Sequence, residues 1–307
     1  MTAAARSKLD HDPPIRYVEP VYRPPSEAES LILPVTDGCS WNRCTFCEMY
    51  QAPQKRFRAR DAAEVLESIR RTGEDEGEQV RRVFLADGDA LVLPTRRLLA
   101  YLEAIRTHLP AVHRVSSYCL ARNLNKKSVS ELKDLFDAGL KLAYLGAESG
   151  DATVLARVSK GESVESTRAA LDKLGQAGIR RSVMIINGLG GEALSAQHAD
   201  NSARLINATA PEYLSTLVLT LNDGGARFRA TWPDWQPLSQ SGLFREMERF
   251  LSALDLRRTL FRSDHASNWL VLKGTLGADK ARLLAQVRAA IERPEAAALR
   301  AAWLRGL

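Results

Sequence analysis

Cys39, Cys44 and Cys47 stand in the run Cys39-Ser-Trp-Asn-Arg-Cys44-Thr-Phe-Cys47, three of only four cysteines in 307 residues. Three thiolates on one loop suit an iron–sulfur cube, because three irons take cysteine and the fourth keeps an open position. An open iron binds and reduces a ligand, so the set points to chemistry and not merely to electron storage. Structural zinc normally takes four closed ligands, often as two separated pairs, and no histidine lies near this loop. Zinc, a redox pair with a spare thiol and plain apolar packing stay open on the spacing alone. Cys119 sits in the apolar run 115–120 and reads as a buried strand residue.

The elements that must position these thiols alternate regularly. Apolar, β-branched-rich runs at 31–36, 80–86, 112–119, 140–147, 179–187 and 213–221 predict strands. Between them, 62–73, 95–108, 128–138, 163–177 and 193–208 carry helical periodicity. Ser128 with Glu131 predicts a capping box, and Gly139 and Gly178 follow helix ends. Successive βα units argue a parallel sheet with helices outside, open or curled towards a barrel, with functional residues at the carboxyl ends of the strands. The unusual residues fall there. The cysteine loop follows the first strand and Asp87-Gly88-Asp89 the second. Glu148-Ser149-Gly150 follows the fourth, Gly188-Leu189-Gly190-Gly191 the fifth, and Asn222-Asp223-Gly224-Gly225 the sixth.

The cysteine loop with these strand-end segments resembles the radical S-adenosylmethionine (SAM) superfamily. The usual signature there has three residues between the first two cysteines, then two with an aromatic before the last cysteine. Here Phe46 supplies the aromatic, and the first gap holds four residues, Ser40 to Arg43. The resemblance implies an α/β fold, a partial (β/α)6 TIM-type barrel over residues 31–222 with a small C-terminal extension. It implies a [4Fe–4S] cluster on Cys39, Cys44 and Cys47, with SAM on the fourth iron. Ala86-Asp87-Gly88-Asp89 is similar to the family segment that receives the methionine amino group. Glu148 is similar to the position that meets the SAM ribose or carboxylate. Gly188, Gly190 and Gly191 resemble the segment beside adenine, where Leu219 and Leu221 also belong. The chemistry implied is reductive cleavage of SAM to a 5′-deoxyadenosyl radical, fed by an external one-electron reductant of the flavodoxin or ferredoxin type. Within the superfamily the core resembles the branch of methylthiotransferases, elongator-type enzymes and coproporphyrinogen-oxidase-like proteins.

The bounds agree with a globular enzyme: 45% hydrophobic, 26% charged, net charge +6. No run approaches the roughly 20 apolar residues of a membrane span, the first twelve residues lack a secretory apolar core, and few cysteines suit a reducing cytoplasm. The charge permits an RNA substrate without requiring one; a small metabolite suits the missing RNA-binding module. The basic group Lys55, Arg56, Arg58 and Arg60 is the best candidate for anion contact. Residues 1–30, rich in proline, read as an extended leader whose latter half straps over the barrel, and 223–307 as a capping region. In that region His265 and Asn268 are candidate substrate contacts, and Trp232 and Trp235 read as a lid or as ordinary aromatic packing. A helix over 278–292 covers the sheet. Two other functions stand beside the leading one: an iron–sulfur electron carrier or sensor without SAM chemistry, and a zinc-stabilised RNA-binding protein.

Overall fold

A computed structural model describes residues 13–305, apart from the side chains of 222, 223 and 302. The strands are β1 (Leu31–Pro34), β2 (Thr36–Asp37), β3 (Arg58–Ala59), β4 (Arg82–Ala86), β5 (Arg114–Cys119), β6 (Leu140–Glu148), β7 (Arg180–Asn187), β8 (Tyr213–Val218), β9 (Leu260–Ser263) and β10 (Leu272–Thr275). The helices are α1 (Ala62–Glu76), α2 (Thr95–His108), α3 (Ala121–Asn125), α4 (Val129–Asp137), α5 (Ala152–Arg157), α6 (Val164–Gln176), α7 (Gly191–Thr209), α8 (Ala226–Thr231), α9 (Gln240–Ala253) and α10 (Lys280–Glu292).

The main sheet runs β1-β4-β5-β6-β7-β8-β9-β10. Its pairs are parallel from β1 through β9, and only β10 is antiparallel. The six units read from the sequence are all present, as a partial barrel in an α/β fold. The C-terminal region does more than cap them: it adds a seventh parallel strand and an eighth antiparallel one to the same sheet. Helix α1 runs past Gly73 to Glu76, because this glycine lies inside the helix where the His108 carbonyl approaches closely. The capping box at Ser128 forms as expected.

Period-two alternation sorts the strand side chains into two layers. Leu33, Val83, Leu85, Ala143, Leu145, Val183 and Ile185 pack outward against Ile69, Leu98, Leu102, Leu132, Leu171 and Leu174 of the helices. Each large side chain buried this way contributes about 1.5–3 kcal/mol. Cys119 belongs to this outer core, with its thiol 3.6 Å from the Tyr144 carbonyl. A separate cluster joins Phe84, Ala86, Leu142 and Tyr144, flanked by Ile32, Tyr118 and Tyr213. There Phe84 and Tyr118 meet edge to face at 5.0 Å, as do Tyr118 and Tyr144 at 6.0 Å, a favoured aromatic geometry.

The end of the leader meets the amino ends of β4 and β5 through Glu29 with Arg82 and Glu27 with Arg114, while Tyr22 packs edge to face on Tyr50 beyond the cysteines. Glu27 is fully buried there, accepting from Arg114 Nη2 at 2.9 and 3.0 Å and from the Tyr144 hydroxyl at 2.6 Å. Residues 1–12 of the expected leader lie outside the described residues. Among the described residues no helix is long and apolar enough to cross a membrane.

Candidate functional site

The cysteine loop leaves β2 at the carboxyl end of β1. Cys39, Cys44 and Cys47 are free and partly buried. The loop begins against the turn after β4, backbone on backbone. Gly88, at φ +96°, faces Gly38, at φ +72°, and a Cβ on Gly88 would lie 1.8 Å from the Gly38 carbonyl oxygen. Only glycine admits that approach. Asp89 then braces the loop: its carboxylate accepts from Ser40 N at 2.7 Å, Ser40 Oγ at 2.5 Å and Asn123 Nδ2 at 2.9 Å.

The extra residue between the first two cysteines is accommodated by its own anchors. Trp41 Nε1 donates to Ser159 O at 2.9 Å, and the Arg122 guanidinium stacks 3.9 Å from its ring. Asn42 takes the left-handed conformation that asparagine tolerates and donates to Tyr50 O at 2.7 Å. Further along, Thr45 N donates to Val158 O at 3.0 Å. Arg227 of α8 donates to Cys47 O at 3.0 Å and to Cys44 O at 3.2 Å.

Burial pushes the Cys44 thiol up to about 12, with Lys160 pulling it back, and burial likewise raises Cys39 and Cys47. A metal must therefore displace protons to bind here, as thiolate ligation always requires. Among the described residues no three His, Cys, Asp or Glu side chains converge on a point that a single ion would fill. A cube gives each thiolate its own iron, so three cysteines spread along one loop fit it better than a mononuclear centre.

The other strand ends complete the mouth. Asp87 and Lys55 form a fully buried ion pair at 2.6 Å, and burial holds the Asp87 carboxyl above the usual carboxylate range against the pull of Lys55. Asp87 Oδ1 has no hydrogen-bond partner among the described residues. The unengaged acceptor of this turn is thus on Asp87, while Asp89, the expected counterpart of the family carboxylate, is committed to the loop. Glu148 sits at a β6 irregularity with φ +65°, its Oε1 accepting from Lys160 Nζ at 2.9 Å. Burial works against the Lys160 charge, but Glu148 and the Cys44 thiolate outweigh it and raise its pKa. Gly146 makes room for this carboxylate, since a Cβ there would lie 2.0 Å from Glu148 Oε1.

Gly188 N donates to Glu246 Oε1 of α9 at 2.6 Å, and Gly190 and Gly191 lead into α7. His198 bridges the fourth and fifth strand ends, from Ser149 Oγ at 2.7 Å to Ile186 O at 3.0 Å. Phe46, Leu217, Leu219 and Leu221 pack partly buried against Ile186, Leu189, Phe228, Trp232 and Trp235. The structure therefore brings the expected Phe46 and Leu219 into one apolar patch beside the glycine turn. Trp232 and Trp235 are buried packing and not a lid, with Trp235 Nε1 donating to Leu189 O at 3.2 Å.

Asn268, His265 and the basic run all make contacts within the protein. Asn268 is buried on the sheet, its amide donating to Thr216 O at 2.9 Å. It lines a cavity of about 20 Å³ with Asn187, Val218, Leu243, Phe244 and Met247. His265 is held on Ser267, Nδ1 to Oγ at 2.9 Å, in the loop after β9. The Asn268 N–H donates to the His265 carbonyl at 3.0 Å, so the two residues share one turn. Within the basic run after the cysteines, Lys55 pairs with Asp87 and Arg60 with the buried Asp37, while Arg58 reaches Asp37 from an exposed position. Arg227 and Glu246 escaped the sequence reading. Of these only Glu246 left a signal, a carboxylate on the apolar stripe of α9 among Leu243, Phe244, Met247 and Phe250.

A family model described as the radical SAM superfamily matches residues 33–200. No curated protein sequence matches the chain. Among solved structures, coproporphyrinogen III oxidase (HemN) from Escherichia coli is 16% identical with TM-score 0.56, covering 73% of this chain and 52% of its own. Methylornithine synthase (PylB) is 14% identical with TM-score 0.53, over 89% of this chain and 74% of its own. The radical SAM methyltransferase TsrM from Kitasatospora setae is 17% identical with TM-score 0.50, over 62% and 36%. The chain thus spans about a third to a half of the length of TsrM and HemN, and at these identities the likeness is one of fold. With the matched segment running from β1 through the cysteine loop into α7, over more than half of the chain, the protein belongs to the radical SAM superfamily.

Proposed function

We propose that Cys39, Cys44 and Cys47 hold a [4Fe–4S] cluster, that SAM binds across the carboxyl ends of β4, β6, β7 and β8, and that the enzyme acts on a small molecule at the barrel mouth. The observation that carries this is one loop presenting three free thiols beside a turn whose buried Asp87 Oδ1 lacks a donor. When bound, cluster and SAM supply a 5′-deoxyadenosyl radical by one-electron reductive cleavage of the sulfonium.

The chain's own residues bind, orient and exclude water. The Asp87-Gly88-Asp89 turn holds the loop and offers an acceptor to the methionine amino group. Glu148, oriented by Lys160, meets the ribose or carboxylate. Phe46, Leu219 and the Gly188–Gly191 turn flank the adenine. Residues 31–222 carry this machinery, and 223–307 brace it from outside. A small substrate is favoured over RNA because Phe84, Leu142 and Tyr144 fill part of the barrel and Lys55 and Arg60 of the basic run are held by internal carboxylates. We place the enzyme in the cytoplasm, with a flavodoxin- or ferredoxin-type reductant.

The test is anaerobic reconstitution with iron and sulfide, then SAM and dithionite, with chromatographic detection of 5′-deoxyadenosine. About four irons per chain and product that depends on all three cysteines support the proposal. Iron binding without deoxyadenosine shifts the weight to the electron-carrier reading, and absence of iron overturns both.

A further inference from the structure

The matched family segment ends at residue 200, yet the carbonyls of two of the three ligand cysteines are held by a side chain beyond it. Arg227 forks onto Cys47 O and Cys44 O at 3.0 and 3.2 Å, a rigid two-point contact that lysine cannot reproduce. Its helix is fixed in place. Phe228 is fully buried and packs 5.0 Å from Trp235, and Thr231 Oγ1 lies 3.3 Å from Thr45 Oγ1. The same guanidinium brings a permanent positive charge to the loop that carries the thiolates. Arg229, one turn-neighbour away, instead donates to Gly224 O at 3.1 Å.

We infer that Arg227 is a positioning residue that pins the cysteine loop and raises the reduction potential of the cluster it holds. This rests on the cluster reading above. In the step concerned, an external one-electron donor gives one electron to the oxidised cluster. The donor is oxidised, the cluster gains one negative charge, and no bond or proton moves. A fixed positive charge beside the loop stabilises the reduced form more than the oxidised one. In partly buried surroundings a unit charge at such range shifts the equilibrium on the order of tenfold.

The experiment compares Arg227→Gln, Arg227→Lys and Arg229→Gln with the unaltered protein, all reconstituted. It reads iron and sulfide per chain, the visible spectrum and the midpoint potential by dye-mediated titration. Arg227→Gln is expected to need a more negative potential, its reduced-to-oxidised ratio at fixed potential falling on the order of tenfold. Arg227→Lys, which keeps the charge but not the two-point contact, should keep a midpoint potential close to that of the unaltered protein, and Arg229→Gln should match the unaltered protein in every readout. Hydrogen exchange of the metal-free proteins supplies a second readout: amides of residues 44–47 should exchange faster in Arg227→Gln than in Arg229→Gln at equal global stability. That measurement stands even if Arg227→Gln holds no cluster. An unchanged potential in Arg227→Gln, or equal shifts in both glutamine variants, overturns the inference while leaving the cluster reading intact. An unaltered protein that takes up no iron and sulfide overturns both together.

Discussion

Replacing Gly88 with alanine tests whether the turn after β4 sets the position of the cysteine loop. The new Cβ would lie 1.8 Å from the Gly38 carbonyl oxygen, and the atom it meets is backbone, with no side-chain rotation to relieve it. Even a tight packing contact then requires the two turns to part by about 1 Å. The residue would also sit at φ +96°, which costs a non-glycine about 1–2 kcal/mol. Adding an overpacking cost of about 1–3 kcal/mol, Gly88→Ala should destabilise the protein by about 3 kcal/mol. Gly224→Ala is the matched control. It has φ +71° and nothing within 4 Å of the added Cβ, so it should cost only the backbone term, about 1 kcal/mol. The assay is urea unfolding of the metal-free proteins, followed by iron and sulfide content after reconstitution. Gly88→Ala should lose both stability and iron, because Cys39 directly follows Gly38. Equal costs for the two variants, with full iron in Gly88→Ala, would refute the argument that this backbone contact places the thiols.

Three further predictions follow from buried charge. Lys55→Met should destabilise by about 3–5 kcal/mol by leaving Asp87 uncompensated, and Lys55→Met with Asp87→Asn should recover most of it; additive losses in unfolding experiments would contradict the pairing. Glu246→Ala leaves the Gly188 N–H without its acceptor, at about 1–3 kcal/mol, and should weaken SAM binding to the reconstituted enzyme in calorimetry; unchanged affinity would free the glycine turn from dependence on α9. For Glu212, burial raises the carboxyl, but the Arg181 hydrogen bonds outweigh it and hold the folded value below the ordinary 4.5. Its contribution is therefore complete above pH 4.5 and lost as the pH falls through the folded value, so the melting temperatures of the unaltered protein and Glu212→Gln should differ near neutrality and converge in acid; a gap constant with pH would show that the carboxylate charge contributes nothing.

What the sequence disclosed was local. Six strands and five helices follow from periodicity, and the thiols, Gly88 and Glu148 all fall at strand ends because a parallel βα sheet collects its functional loops at one mouth. The seventh strand was missed because Leu260–Ser263 has only four residues, two of them exposed, too short for alternation to register. The internal pairing of the basic run at Lys55 to Arg60 was not legible for a different reason. A charged side chain looks the same in sequence whether it meets water or a buried carboxylate, and Asp37 and Asp87 lie 21 residues or more from the cations they hold.

The same blindness covers the C-terminal region, where no family signature extends, and there it changes the account of the site. Arg227 reaches back 180 residues to Cys47, and Glu246 reaches back 58 to Gly188. One holds the loop of the thiols and the other holds the Gly188–Gly191 turn, so each brace meets the barrel at a different strand end. Neither contact is a surface ion pair of the kind that contributes little. Glu246 is buried, and the Arg227 fork is spent on the backbone carbonyls of Cys44 and Cys47. A region that contributes β9 and β10 to the sheet and also ties down two loops of the mouth cannot be removed as an appendage. Truncation after β8 would leave the Gly188 N–H and the Cys44 and Cys47 carbonyls without these partners. The geometry of the thiols is thus a property of the whole sheet, including the part that carries no recognisable motif.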